Sequence, residues 1–244
     1  MSFQKEVQER IDAIAQNDEL KTSAHAFMKA SVGPKYSYNF SWLGRPIIQY
    51  PQDMVAMQEL LWEVKPDLII ETGIAHGGSL IFYASILELI ATCTGNEGEV
   101  IGIDIDIRPH NRKAIEEHPM YKRISMIQGS SIAPEIVARV VEKARGKKRI
   151  LVCLDSNHTH EHVLAELEAY AQLTSVGSYC VVFDTLIEDM GEGAYPDRSW
   201  GLGDNPKTAV WEYLKANSNF EIDKSIHQKL LITVAPEGYL KRTR

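Results

Sequence analysis

A chain of 244 residues with 44% hydrophobic and 24% charged side chains is long enough to bury one full core, and that composition excludes an extended disordered polymer or a fibrous repeat. Its formal net charge of −7 argues against nucleic acid as the main partner, because a phosphate-binding face is basic. The opening MSFQKEVQER has no apolar run, and no stretch of about 18 apolar residues occurs, so neither a secretory signal nor a membrane span is predicted and the cytoplasm is the expected location.

Residues 2–30 carry Phe3, Val7, Ile11 and Ile14 on one stripe above charged neighbours, which predicts a docking helix. The stretch SVGPKYSYNFSWLGRPIIQYP cannot be one regular element, because Pro34, Pro46 and Pro51 interrupt it, and its aromatics point to a folded-over lid or a subunit contact. A helix from Gln52 runs to Pro66. Segment 1–62 is therefore expected to be a helical and aromatic lid or homo-oligomerisation segment, and 63–244 the main domain.

Beyond Pro66, strand-length apolar runs alternate with amphipathic segments. Strands are predicted at Asp67–Glu71, Glu99–Asp104, Arg123–Gln128, Arg149–Asp155 and Ser178–Asp184, with helices near 78–94, 110–118, 132–145 and 159–173 between them. DLIIET, VIGIDI, RILVCLD and YCVVFD are apolar throughout, as parallel strands covered on both faces are. After a Gly- and acid-rich loop, Asp204, Asn205 and Pro206 open another helix, and FEIDKSI and KLLITVA read as a closing antiparallel pair. The sum is an α/β, Rossmann-like, mostly parallel seven-stranded sheet with a C-terminal antiparallel hairpin. Cys93, Cys153 and Cys180 lie in apolar segments without metal spacing and read as buried thiols.

In such a sheet ligands bind at the carboxyl ends of the strands, which here are Glu71, Asp104, Gln128, Asp155 and Asp184. An Asp in this place is also a turn former and helix cap, but four acidic ends on one edge repel one another unless a cationic or hydrogen-bonding group sits among them. The turn ETGIAHGGSL follows the first parallel strand. Gly73 permits the tight bend, Gly77 and Gly78 clear the backbone at a helix start, and His76 and Ser79 complete the turn. Its spacing is not G-x-G-x-x-G, and Glu71 would repel a pyrophosphate but suit a sulfonium, so S-adenosylmethionine is preferred over a dinucleotide. Asp104, with Asp106 behind it, is placed for ribose hydroxyls; Gly129, Ser130 and Ser131 could border the adenine, although either serine could instead cap a helix. The cluster LDSNHTHEH allows two readings: a divalent metal with a nearby base, or a solvated helix start where Thr159 caps and the histidines face water. Asp184 brings a second carboxylate towards Asp155 and favours a site, its oxygen donors suiting Mg²⁺.

ETGIAHGGSL, VIGIDIDIRPHN, LDSNHTHEHVLAELEAYAQL, VGSYCVVFDT, GDNPKTAVWEYL and KLLITVAPEGYLKR together resemble the cephalosporin hydroxylase-like family, largely S-adenosylmethionine-dependent O-methyltransferases that include rhamnosyl and macrolide-sugar enzymes. The resemblance spans about residues 36–244 and implies a class I methyltransferase that acts on the hydroxyl of a small-molecule acceptor, commonly with Mg²⁺. It implies Asp155 as first metal carboxylate, His158 as general base and Asp184 as last metal carboxylate. The sequence departs from the family at Phe183, which stands where a glutamate ligand is expected; Glu188, Asp189 or Glu192 could replace it, or the metal or the reaction could be lost. A catalytically altered cofactor-binding protein is thus the alternative, with an oxygenase-type hydroxylase behind it. Tyr36, Tyr38, Phe40 and Trp42, with Tyr195, Asp197, Arg198 and Trp200, could wall an acceptor pocket or simply pack.

Overall fold

The alternation of strand and helix is carried through in the computed structural model of the protein, which describes residues 2–244. At the N-terminus two helices, α1 (Phe3–Ala15) and α2 (Asp18–Val32), replace the single helix expected over 2–30. Asn17 divides them, because its side-chain oxygen accepts the Leu20 amide at 3.0 Å while Asp18 and Glu19 complement the new helix's positive end. An antiparallel hairpin follows, β1 (Phe40–Trp42) with β2 (Arg45–Ile47), and then α3 (Pro51–Val64). The boundary expected at 62/63 falls inside α3, whose Met57, Leu60 and Leu61 enter the same core as the central strands.

The next elements are β3 (Leu68–Thr72), α4 (Gly78–Thr94), β4 (Glu99–Asp104), α5 (Pro109–Glu116), β5 (Ile124–Gln128), α6 (Pro134–Ala144), β6 (Ile150–Leu154), α7 (His160–Tyr170) and β7 (Tyr179–Val182). They are followed by α8 (Ile187–Met190), α9 (Pro206–Ala216), β8 (Phe220–Ile222), α10 (Lys224–Leu230) and β9 (Tyr239–Arg242). The seven-stranded sheet has the order β5-β4-β3-β6-β7-β9-β8, parallel from β5 to β7, with β9 antiparallel to both β7 and β8. Successive side chains of each strand enter opposite cores: Ile69, Leu151 and Val181 face α3 and α4, whereas Leu68, Val152 and Val182 face the layer of α6, α7 and α9. Each such fully buried aliphatic side chain contributes roughly 1.5–3 kcal/mol.

Two expectations are corrected here. KLLITVA is not a strand: Asp223 accepts the Ser225 amide at 3.1 Å and starts α10, so the antiparallel partner of FEI is Tyr239–Arg242. Cys153 and Cys180 are buried, but Cys93 is exposed on the last turn of α4, where the helix leaves the core before Gly95 ends it. Among the described residues no helix is long and apolar enough to cross a membrane.

Candidate active site

The turn between β3 and α4 is held from several sides. Gly73 takes φ +91° and its amide bonds the Ile103 carbonyl at 2.8 Å. A β-carbon at Gly73 would sit 2.6 Å from the Asp155 carbonyl carbon and closer still to its oxygen, so only glycine lets the ends of β3 and β6 meet. The Ile74 and Ala75 amides both bond Asp104 Oδ2, at 2.8 and 3.2 Å, and the Asp106 amide bonds Asp104 Oδ1 at 2.9 Å. Asp104 therefore uses about three of its four acceptor positions on the backbone and keeps about one, on Oδ1, for a ligand. Asp106 itself is exposed and lies 3.9 Å from Arg108. His76 is half-buried in the turn, and Gly77 and Gly78 are buried beneath it.

Glu71 does not face the cleft as an open anion. It is 1% exposed, accepts the Ser79 hydroxyl at 2.7 Å and a second bond from Tyr83, and thereby ties β3 to the first turn of α4. Burial pushes its carboxyl up to about 8 from the usual 4.5, against those two bonds. A folded-state value above the unfolded one means that stability is present at low pH and is lost as pH rises through the window from 4.5 to about 8. Between pH 6.5 and 7.5, unfolding free energy measured with urea is expected to fall by roughly 1.4 kcal/mol per pH unit from this group, and Glu71→Gln to remove that slope. Buried Asp53, pushed up to about 6, is largely ionised across this range, whereas Asp155, raised well above the usual range by burial, adds a slope of the same sign, so the difference between wild type and Glu71→Gln isolates the share of Glu71.

On the other side of the turn, Gly129 donates to the Asp104 carbonyl at 2.9 Å. Neither Ser130 nor Ser131 caps α6, whose N-cap is Ala133 without a side-chain bond. Ser131 is buried, its carbonyl takes the Tyr170 hydroxyl, and its Oγ lies 3.1 Å from His162 Nε2. His162 in turn lies 3.3 Å from Ser156 Oγ and 3.4 Å from the buried Glu166, which accepts Ser156 at 2.7 Å. Two isoleucines missed in the sequence stand in solvent just past the adjacent ends of β4 and β5, Ile105 at 71% and Ile132 at 39% exposure. Their signal was an apolar residue placed shortly beyond a polar strand end.

Past β6 and β7, Asp155, His158 and Asp184 bring one ligand atom each within 4.8 Å of one another. His158 Nε2 is 3.1 Å from Asp184 Oδ2. Asp184 adopts φ +56°, a left-handed conformation that Asp tolerates better than most residues. Burial, followed by the charges of Asp184 and Glu71, raises the Asp155 carboxyl well above the usual range. Gln49 Nε2 reaches Asp155 at 3.4 Å, whereas its own Oε1 is buried without a partner. This donor set, two carboxylates and an imidazole crowded together, fits a divalent cation.

Phe183 points the other way. It is 2% exposed, packs in the core on the α3 and α4 side, and shares a small cavity with Asp53 and Met57. None of its three potential replacements joins the group: Glu188 accepts from Gly203 and Asn205, Asp189 is paired with Lys207 at 2.8 Å, and Glu192 is exposed. The remaining cluster residues turn away as well. Asp204, not the Thr159 side chain, bonds the His160 amide at 2.7 Å, and His160 braces α7 against α9 through Thr208 at 2.8 Å and Glu212 at 3.2 Å.

The aromatics divide into two groups. Tyr36 packs with Phe27, Phe40 and Tyr50 at 5.2–5.5 Å, and Trp42 packs edge-on to Phe82 at 5.0 Å, so these are structural. Only Tyr38 of that stretch is largely free, at 51% exposure. The loop after β7 instead sets Trp200 edge-on to His158 at 5.2 Å, with Tyr195 at 4.9 Å and the Arg198 guanidinium at 5.6 Å from the same indole.

The family model described as Rhamnosyl O-methyltransferase/CmcI matches residues 34–243. A rhamnosyl O-methyltransferase of Mycobacterium tuberculosis (strain ATCC 25618 / H37Rv) is 32% identical over 195 residues, covering 78% of this chain and 73% of its own. The protein of that name from Mycobacterium leprae (strain TN) is 30% identical over 206 residues, covering 83% and 82%. Among solved structures, a CmcI complex with Mg and S-adenosylmethionine superposes with a TM-score of 0.57 at 20% identity, over 85% of this chain and 78% of that one. A CmcI complex with S-adenosylhomocysteine gives 0.52 at 16% identity, over 83% and 81%.

Proposed function

The chain belongs to the Rhamnosyl O-methyltransferase/CmcI family and is an S-adenosylmethionine-dependent methyltransferase; from that premise we propose that it methylates a hydroxyl of a sugar ring, with His158 as general base and Asp155 and Asp184 as the carboxylates for a divalent ion. One observation carries the reading: the donor atoms of Asp155, His158 and Asp184 converge within 4.8 Å at the carboxyl ends of neighbouring strands, beside the glycine turn. Phe183 takes one carboxylate from the ion's donor set but leaves the base and both aspartates together, which favours an active enzyme over a cofactor-binding chain without turnover. A single imidazole with two carboxylates, His160 being tied to Thr208 and Glu212, also weighs against a two-histidine oxygenase centre.

In this reading the turn from Gly73 to Ser79 receives the amino-acid end of the cofactor, and the spare acceptor of Asp104 receives a ribose hydroxyl. Gly129, Ser130 and Ser131, with Ile105 and Ile132, border the base. Trp200 and Tyr195 offer their ring faces to the C–H surface of a sugar. The rhamnosyl relatives support that acceptor class.

Transfer is one displacement: the acceptor oxygen forms its bond to the methyl carbon as the carbon–sulfur bond breaks, leaving a neutral thioether. The hydroxyl proton passes to His158. With Nε2–H donated to Asp184, the imidazole keeps Nδ1 as its basic nitrogen, and the carboxylate stabilises the imidazolium that forms. A divalent ion, when bound, supplies a lowered pKa to a coordinated hydroxyl.

Calorimetry with S-adenosylmethionine and S-adenosylhomocysteine, with and without Mg²⁺, tests the proposal together with turnover on rhamnosyl glycosides. Both nucleosides are expected to bind at one site per chain, and methyl transfer is expected to be lost with a chelator. Absence of binding by either nucleoside would overturn the reading.

A further inference from the structure

The glycine turn is gripped from outside by two residues distant in sequence. Arg45, half-buried on β2, donates through Nε (3.1 Å) and Nη2 (2.5 Å) to the carbonyl of His76. Its Nη2 also reaches Asn111 Oδ1 at 3.1 Å, and Asn111, buried on α5, passes the connection on by donating Nδ2 to the Ala75 carbonyl at 2.9 Å. The hairpin that carries Arg45 is itself seated on α4. Trp42 Nε1 bonds Ser85 at 2.9 Å, and a β-carbon at Gly78 would lie 2.6 Å from the carbonyl carbon of Pro46. His118 Nε2 fastens the hairpin tip through the Leu43 carbonyl at 3.1 Å.

These contacts bear on a strained segment. Ala75 carries a side chain yet sits at φ +46°, which a residue with a β-carbon holds only when its surroundings enforce it. The amides of Ile74 and Ala75 are drawn inward to Asp104, and the carbonyls of Ala75 and His76 are drawn outward to Asn111 and Arg45. The turn is thus held on both sides by the protein's own side chains. Moreover, Arg45 has no carboxylate within ion-pair distance among the described residues, so its half-buried guanidinium is committed to two neutral oxygens, the His76 carbonyl of the turn and the Asn111 side chain that bonds the turn in its own right.

We infer that Arg45 and Asn111 are positioning residues for the cofactor: a clamp that preorganises the turn and couples the N-terminal hairpin to S-adenosylmethionine affinity. This rests on the turn being the cofactor site. Preorganisation lowers the ordering cost of binding, so its loss appears in cofactor affinity and not in acceptor handling.

The test uses the full-length protein and four variants, Arg45→Ala, Arg45→Lys, Asn111→Ala and the double alanine, with two readouts. Without ligand, amide exchange at residues 73–78 is expected to speed up in the alanine variants relative to wild type, with other strands unchanged. S-adenosylhomocysteine is expected to bind about tenfold more weakly to each, and the double variant to be little worse than either single one, because the two side chains act as one connected unit. Arg45→Lys, which keeps the charge but not the fork, is expected to fall between and serves if the alanine variant folds poorly. Acceptor KM and kcat at saturating cofactor are expected to stay within about twofold of wild type. Nucleoside affinity unchanged in the variants, with a wild type that binds, would overturn the clamp, whatever the exchange rates. Faster exchange in variants of a wild type that binds no nucleoside would instead overturn the cofactor assignment of the turn.

Discussion

Replacing His158 with alanine is expected to lower methyl transfer by about 100- to 10,000-fold while S-adenosylhomocysteine binds as before. A sugar hydroxyl has a pKa far above 7, so its proton must leave as the carbon–oxygen bond forms, and the base must already be in place. His158 meets this condition through two independent supports: Asp184 holds one ring nitrogen at 3.1 Å and Trp200 stands edge-on to the ring at 5.2 Å. Neither support belongs to the glycine turn, which is why the nucleoside should not sense the change. Rapid-quench single turnovers at saturating cofactor measure the chemical step directly. A His158→Ala enzyme that transfers methyl groups at the wild-type rate would remove His158 from the reaction and leave the two aspartates to act without it.

The sheet was legible because its signals are local. Five apolar runs bounded by Gly, Pro and acidic residues fall within two residues of the observed strands, and Glu99–Asp104 coincides with β4. KLLITVA misled because apolar content alone does not separate strand from helix or buried loop. The deciding signal was Asp223, a cap seven residues upstream of Leu230, and the strand that takes the place, YLKR, is short and half charged. The acidic edge was legible too, since strand ends converge by topology whatever the loops do. What each acid does there was not. Glu71 and Asp104 looked equally available, yet one is buried against Ser79 and Tyr83 and the other is engaged by the Ile74, Ala75 and Asp106 amides. Arg45 illustrates the same limit: its partners lie 31 and 66 residues away, and no local pattern encodes them.

Gly73→Ala is expected to destabilise the fold by roughly 3 kcal/mol or more and to abolish measurable S-adenosylhomocysteine binding. A left-handed φ alone would be a modest penalty, and Gly95 separates that part from the rest. Gly95 ends α4 at φ +75° with nothing within 4 Å of a built β-carbon, so Gly95→Ala is expected to lose only about 1 kcal/mol and to keep activity. At Gly73 the added methyl meets backbone, the carbonyl of Asp155 and the α-carbon of Ser156 at 3.1 Å, and backbone cannot rotate aside as a side-chain tip can. Relief requires β3 and β6 to part at their carboxyl ends, where the Asp155 amide is bonded to the Thr72 carbonyl at 2.9 Å. That movement carries the glycine turn away from Asp155 and, three residues on, from His158, so the cofactor seat and the catalytic group lose register together. Urea unfolding and calorimetry on the two variants make the comparison. A Gly73→Ala protein that binds the nucleoside like wild type, at a stability no lower than Gly95→Ala, would mean that the two strand ends need not touch for the site to form.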